Sequence, residues 1–587
     1  MSADEWITIA VLTATFGLLV LDRFAPSGTV LAATVVLLLA DVIDARQAFA
    51  GFSNPAPITV AALFVLAAGT QRTGLLSAAV SRLLGRPRRR GVAHARLLLP
   101  TAGASAFFNN TPLVAMLIPD VVSWSKRNGR DASRYLLPLS YAAILGGTLT
   151  VLGTSTNLVV SGLLEDTGED ALGVFEFAKV GAPVALVGIV VLFGVSIPLL
   201  RTRVTASDQF DATAREFLME MRVTSDPSIA GRTVEDAGLR GLTGVYLVQI
   251  RRGSRSIAPV PPDELVEDGD VLVFAGEVSN VLDLQRMRGL EGMDHETVAT
   301  LEVAGRRLYE VVVGRMSPIA GHTLREADFR ARYDAAVLAV HRAGHRLDAK
   351  LGDVRLRHGD TLVVVAGVDF RSRWSQGPDF LVVAALDAPP PAAGSKAPVV
   401  AATVFGFVAL SAIGVVSTME GALLAAAAMI LTRVLTFDEA KRAVDIDVVL
   451  LIGAAFGLGA AVEQSGLAMR IADSFISGLE GFGTFGLVLG IVLTTSVLTE
   501  IITNNAAAVV VLPIALAIAG PAGIDIRIMA IAVAVAASTS FLSPIGYQTN
   551  TMVYGPGGYR VADYVRSGLP LSLAVQLTIA TTVTVLA

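Results

Sequence analysis

The chain has 587 residues, 53% of them hydrophobic and 17% charged, and a mean hydropathy of +0.63, so lipid rather than water must solvate most of it. Cysteine is absent, which excludes disulfides and thiolate metal sites. A net charge of −5 gives no basis for nucleic-acid binding.

A spanning helix needs about 20 mostly apolar residues. Runs near that length lie at Trp6–Leu21, Phe24–Ala40, Gln47–Gln71 with an extension toward Ser81, Tyr135–Leu164 and Val180–Leu200. Further runs lie at Ala397–Met419, Gly421–Thr432, Val448–Val462, Ile528–Tyr559 and Ser567–Ala587. Asp4 and Glu5 precede the first run and no small-residue cleavage pattern follows it, so it reads as a retained helix rather than a signal peptide.

Two other apolar runs do not read as simple spans. Leu97–Ser125 lies between basic clusters, Arg86, Arg88, Arg89, Arg90 and Arg96 before it and Lys126, Arg127, Arg130 and Arg134 after it. Basic loops stay cytoplasmic, so the segment must enter and return, with FFNNTP at Phe107 to Pro112 as a hairpin tip. Phe482–Ala519 lacks flanking basic clusters and carries Thr503-Asn504-Asn505 in its middle, which suggests a matching hairpin from outside. Asp120, near the inner end of the first hairpin, is expected at the interface.

The same rule sets the remaining orientation. Tyr135–Leu164 leads out to Glu165, Asp166, Glu169 and Asp170, and Val180–Leu200 returns to Arg201 and Arg203. The fold class expected is a polytopic α-helical membrane protein of the cell (inner) membrane, with both termini outside. Residues 1–200 and 397–587 form an inverted repeat, each half having five transmembrane helices plus one re-entrant hairpin.

The intervening insert is cytoplasmic and itself duplicated. IAGRTVEDAGLR (Ile229–Arg240) recurs as IAGHTLREADFR (Ile319–Arg330), and DGDVLVFAG (Asp268–Gly276) as HGDTLVVVAG (His358–Gly367), both about 90 residues later. Two small α/β domains at 201–300 and 301–388 are therefore expected, closed by a Pro/Ala/Gly linker at 389–396.

Non-helical backbone at membrane depth survives only where it lines a cavity or is buried in protein. Both halves follow the Asn-rich tip with a polar interruption, Gly153–Asn157 (GTSTN) and Ser543–Asn550 (SPIGYQTN), each ending in Thr-Asn. Four such breaks point to one shared site. Asn and Thr supply neutral oxygens and amide donors, half-helix N-termini favour an anion, and unwound carbonyls can hold Na⁺. None of the four segments contains Lys or Arg, so dipoles and co-bound cations must balance an anion. Glu500, the only charge in its hairpin, is a candidate for ion coupling, although a carboxylate near a helix end can instead bond backbone.

FFNNTP, GTSTNLVVSGL, TEIITNNAAAVVVLP and SPIGYQTNTMVYGPGGY resemble the signatures of the divalent-anion:sodium symporter family, within the wider ion transporter superfamily. The resemblance covers both membrane halves. It implies Ser-Asn-Thr hairpin tips that touch substrate and help bind sodium, carried here by Asn109, Asn110, Thr111 and Thr503, Asn504, Asn505. Asn109 stands where the family has Ser and Asn505 where it has Thr. Thr156 and Thr549 join the implied substrate residues. The implied sodium residues are Asn110, Gly153, Thr154, Asn157, Asn504, Ser543, Gly546 and Asn550. The insert resembles paired TrkA-type C-terminal domains, which bind ligands and dimerise, so a cytosolic regulatory ligand and a homodimer are implied partners.

The expectation is Na⁺-coupled uptake of a small divalent anion, sulfate or a dicarboxylate, by alternating access, with no cofactor and no enzymatic activity. A cation/proton antiporter or metalloid exporter of the same superfamily is the alternative, and a ligand-gated ion channel the alternative of another class. No paired intramembrane carboxylate and no TVGYG filter supports either.

Overall fold

The computed structural model describes residues 2–21, 24–203 without 86 and 88, and 394–587. Within the insert it describes 218–239, 242, 245–253, 255–257, 260–276, 287–292, 306–314, 317–342, 345–347, 351–374 and 379–385. Arg86, Arg88, Arg240 and residues 389–393 of the expected linker lie outside the described residues.

Before the insert the helices are α1 (Ala3–Leu21), α2 (Pro26–Leu39), α3 (Ala45–Phe49), α4 (Pro55–Thr73), α5 (Leu75–Leu84), α6 (Arg90–Ser105) and α7 (Asn110–Arg127). They continue with α8 (Ser133–Gly147), α9 (Ser155–Asp166) and α10 (Ala178–Val191), the last extended by a π-helical turn at Leu192–Ser196. After it come α11 (Ala397–Ala412), α12 (Thr418–Leu431), α13 (Phe437–Ala443), α14 (Ile446–Gln464), α15 (Leu467–Leu479), α16 (Gly483–Ile501) and α17 (Asn504–Ala519). The series ends with α18 (Ile526–Ser538), α19 (Gln548–Tyr554) and α20 (Val561–Leu586). Among the described residues ten helices of five residues or more thus precede the insert and ten follow it, so that α(n) can be set beside α(n + 10).

Local chemistry repeats with that order. Asp44 and Gln47 form a capping box at the start of α3, and Thr436 and Glu439 form one at α13. Proline opens α2 and α4, where its missing N–H costs nothing. The expected extension of the third run toward Ser81 does not occur. Gly74 takes a left-handed φ of 62° and ends α4, and α5 begins as a separate amphipathic helix. Its counterpart α15 is amphipathic too, and neither was expected as an element of its own. The runs Tyr135–Leu164 and Ile528–Tyr559 are likewise not continuous, since each splits around a non-helical break, 148–154 and 539–547.

Five helical stretches among the described residues are long and apolar enough to cross a membrane: Ala45–Thr73, Ala178–Leu199, Ile446–Gln464, Gly483–Ile501 and Val561–Leu586. The 13- to 16-residue apolar helices rise only about 20–24 Å at 1.5 Å per residue. Large apolar side chains stand exposed on the helix exteriors, among them Leu39, Leu186, Phe405, Ile413, Leu431 and Val585, a surface that suits lipid. Asp120 is buried on α7.

Among its described residues the insert contains two five-stranded sheets in which every ladder is antiparallel. The strands are β1 (Leu218–Val223), β2 (Val245–Arg252), β3 (Arg255–Ile257), β4 (Val271–Gly276) and β5 (Leu290–Gly292), then β6 (Arg306–Val313), β7 (Ala335–Arg342), β8 (His345–Arg346), β9 (Thr361–Gly367) and β10 (Phe380–Ala385). The orders β3-β2-β4-β1-β5 and β8-β7-β9-β6-β10 are the same topology. The duplicated Gly-Asp motif has a physical reason. Gly269 and Gly359 turn the chain at φ of 83° and 81°, and the following aspartates, Asp270 and Asp360, are buried in paired hydrogen bonds with Arg252 and Arg342. The second sheet touches the helices: β10 packs on α7, Val312 joins their core, and Thr361 lies against Gly555 just after α19.

Candidate functional site

Each tip is closed by its own cap. Asn109 accepts from Thr111 N at 3.4 Å to start α7, and Thr503 accepts from Ala506 N at 3.4 Å to start α17. The breaks are held by their terminal asparagines. Asn157 Nδ2 donates to the carbonyls of Gly147 and Thr150 at 3.0 and 2.7 Å, and Asn550 Nδ2 donates to those of Ser540 and Ser543 at 3.0 and 3.2 Å. In both cases the acceptors lie ten and seven residues earlier. Thr150 Oγ1 donates to Ala106 O, and Ser543 Oγ to Glu500 O, so each break is also tied to the arm of its own hairpin.

The tips reach across to the opposite half. Asn110 Nδ2 donates to Tyr547 Oη at 2.7 Å, and Thr111 Oγ1 to Gln548 Oε1 at 3.0 Å. At the other tip Asn504 Nδ2 donates to Thr156 Oγ1 at 2.7 Å, which in turn donates to Asn505 Oδ1 at 2.7 Å. Thr154 Oγ1 and Tyr547 Oη, 3.1 Å apart, join the two breaks. Ser105 Oγ completes the set by donating to Asn110 Oδ1. The result is a ribbon of neutral polar groups, buried at Asn110, Tyr547, Thr154, Thr156 and Asn505 and open to solvent at Gln548, onto which α7, α9 and α17 point their N-termini. Gly147 permits this packing, because a Cβ there would stand 2.8 Å from both Asn110 amide heteroatoms.

Residues 16–576 match the CitMHS family, described as citrate transporter. The chain belongs to that family. It is therefore a polytopic membrane protein and a secondary transporter of the ion transporter superfamily, not an enzyme. It is 37% identical over 93% of its length, and 95% of the other chain, to a Chlamydomonas reinhardtii protein named as a candidate sulfur deprivation response regulator. An uncharacterized transporter of Synechocystis sp. is 31% identical over 97% of this chain and 95% of its own. Sodium/sulfate cotransporter 1 of Chlamydomonas reinhardtii is 26% identical over 98% of this chain and 89% of its own.

In this transporter the residues singled out from sequence fall into connected groups. Asn110, Thr111 and Thr154 meet through Tyr547 and Gln548, and Thr156, Asn504 and Asn505 meet directly. Asn109 and Thr503 serve as caps beside them. Thr549 lies apart from the tips, where Ser140 Oγ is 2.7 Å from both Thr549 Oγ1 and Asn550 Oδ1. Gly153 and Gly546 allow close approach within each break, against Gly147 and Ser540. Glu500 Oε1 accepts the amides of Phe541 and Leu542 at 2.8 and 2.9 Å, so this carboxylate anchors the second break. Among the described residues, Asn157 Oδ1, Glu500 Oε2, Ser538 Oγ and Ser540 Oγ lie buried at or beside the breaks with no hydrogen-bond partner.

Tyr547, Gln548, Ser155, Ser105 and Ser140 were not singled out from sequence. The first three lie inside the GTSTN and SPIGYQTN segments, so position within a break was an available signal. Ser140, within α8, offered none.

Proposed function

We propose that this chain is a Na⁺-coupled importer of a small divalent anion, with sulfate first and a dicarboxylate second, working by alternating access of an inverted repeat. The observation that carries this reading is the crossed pairing of each hairpin tip with the broken helix of the other half. The matched contacts of Asn157 and Asn550, and of Thr150 and Ser543, favour an internal duplication. Basic residues at Arg89–Arg96 and Lys126–Arg134 favour a cytoplasmic base for the first hairpin, with the insert on the same side.

A magnitude argues for co-bound cations. Each helix N-terminus supplies roughly +0.5 charge, so α7, α9 and α17 together offset about 1.5 charges of a dianion, and neutral side chains supply the rest only as dipoles. Na⁺ beside the breaks closes the difference, and the unpartnered oxygens Asn157 Oδ1 and Glu500 Oε2 suit such an ion. The relative named as a sodium/sulfate cotransporter agrees with this choice. Regulation by the insert and its TrkA-C-like identity belong to the same proposal, supported by the repeated sheets and by contact of β10 with α7 and of Thr361 with Gly555.

The test is uptake in proteoliposomes across a panel of sulfate, succinate and citrate, with an inward sodium gradient or choline. Sulfate uptake that requires sodium is expected. Equal uptake in sodium and choline would remove the coupling, and citrate uptake alone would replace the substrate with the one in the family's description.

A further inference from the structure

Away from the tips, at the end of the helices where the insert departs, the start of α6, the α7–α8 turn and the end of α10 enclose a cavity of about 240 Å³. Arg90, His94, Arg130 and Arg134 line it together with Phe193 and Ile197. The single carboxylate in the lining is that of Asp131, which is exposed. Among the described residues none of the three guanidiniums makes an ion pair. Instead Arg130 donates to Tyr135 Oη at 2.8 Å and to Pro87 O and stands 5.6 Å over the Trp124 ring, while Arg134 Nε donates to Thr202 Oγ1 at 2.9 Å. These bonds fix two arginines but use only three of their ten N–H donors, since each guanidinium carries five.

Three cations held around one small cavity without a carboxylate partner repel each other unless an anion completes them. Guanidinium forks fit a tetrahedral oxyanion with two oxygens per arginine. The apolar wall narrows the source of that oxyanion. Phe193 and Ile197 continue α10, whose Leu186 and Val190 are 68% and 63% exposed, a surface for acyl chains. Basic cavities between helices at a membrane face are sites for anionic headgroups. We propose that this cavity binds the phosphate of an anionic glycerophospholipid from the leaflet on the insert side, with its acyl chains along α10.

The bound lipid would brace the base of the first hairpin. His94 already bridges it, with Nδ1 3.1 Å from Arg90 O and Nε2 3.0 Å from Arg134 O, so the cavity wall links the start of α6 to the start of α8. An anion shared by Arg90, Arg130 and Arg134 ties the same two helix starts and the turn between them.

The experiment uses the purified full chain, delipidated in a neutral detergent and titrated with phosphatidylglycerol, phosphatidylcholine or inorganic phosphate. Retained lipid is read by native mass spectrometry and stability by Tm. Phosphatidylglycerol should bind and raise Tm more than phosphatidylcholine, and Arg90→Gln with Arg134→Gln should weaken its binding at least tenfold. Arg90→Gln alone, at an exposed position, should give an intermediate loss in a protein that elutes as wild type, and Arg134→Lys should bind more weakly than wild type because it keeps charge without the fork. Unchanged phosphatidylglycerol binding by the well-folded single and double variants overturns the site. Inorganic phosphate matching the lipid's effect, and displacing it, overturns the lipid as occupant.

Discussion

Thr154 Oγ1 lies 3.1 Å from Tyr547 Oη, and the two residues hold the same position in their respective breaks, three before Asn157 and three before Asn550. This contact joins the two breaks directly. Tyr547 also receives the amide of Asn110 at 2.7 Å, so its hydroxyl couples the first tip to both breaks. Tyr547→Phe should leave the buried Asn110 amide without its partner, at a cost of about 1–3 kcal/mol, and should slow transport. Thermal unfolding and uptake of the variant, compared with Thr154→Val, measure this. Wild-type stability and uptake in Tyr547→Phe would mean that the hydroxyl couples nothing.

Asn110→Ala and Asn504→Ala should each reduce transport at least tenfold while the protein remains folded, because both amides sit at tips that face the proposed site. Substrate binding by scintillation proximity, next to size-exclusion profiles, separates loss of the site from loss of the fold. Normal uptake by both variants would defeat the assignment of the tips.

Gly147→Ala adds a methyl 2.8 Å from both heteroatoms of the Asn110 amide, closer than such contacts allow. The tip must shift, and transport should fall as far as in Asn110→Ala although no polar group has been removed. Gly406→Ala, where nothing lies within 4 Å of the new Cβ, is the control. Similar uptake in both glycine variants would show that the tip tolerates displacement.

Hydrogen bonding to Arg527 holds the Glu176 carboxyl at about 2, well below its usual 4.5. A depressed value in the fold means that the pair's stabilisation is complete above about pH 4.5 and disappears as pH falls toward 2. Glu176→Gln should therefore destabilise by about 1 kcal/mol at pH 7, after allowance for solvent screening, and the gap to wild type should shrink below pH 4.5. Tm of both proteins between pH 3 and 8 gives the answer, and a gap that widens on acidification contradicts it.

Deletion of residues 205–396, with the halves rejoined by a short linker, should leave substrate binding in place and change rate or affinity. The tip and break contacts among the described residues lie outside the insert. The insert acts on them only through surfaces such as β10 on α7 and Thr361 on Gly555, which can bias one state against another. A folded deletion protein that binds no substrate would make the insert part of the transport machinery.

Hydropathy and composition sufficed to establish a membrane chain, the two polar tips, the two breaks and the repeated motifs of the insert, because these are properties of short windows. The Gly-Asp turns at Gly269 and Gly359 were legible for the same reason, and the tertiary structure added only their buried arginine partners. Helices α5 and α15 escaped because short amphipathic segments next to apolar runs average into them. The crossing of the tips could not be read at all. Asn110 meets Tyr547 across 437 positions and Thr156 meets Asn505 across 349, and nothing in either window specifies the other. The same holds for Glu500, whose charge stood out in sequence but whose two amide donors, Phe541 and Leu542, are supplied by a break some 40 residues away. Sequence periodicity determines which face of a segment is apolar. Which polar groups then face each other is decided by the packing of whole helices, where an unpaired amide in a dry interior is too costly to leave.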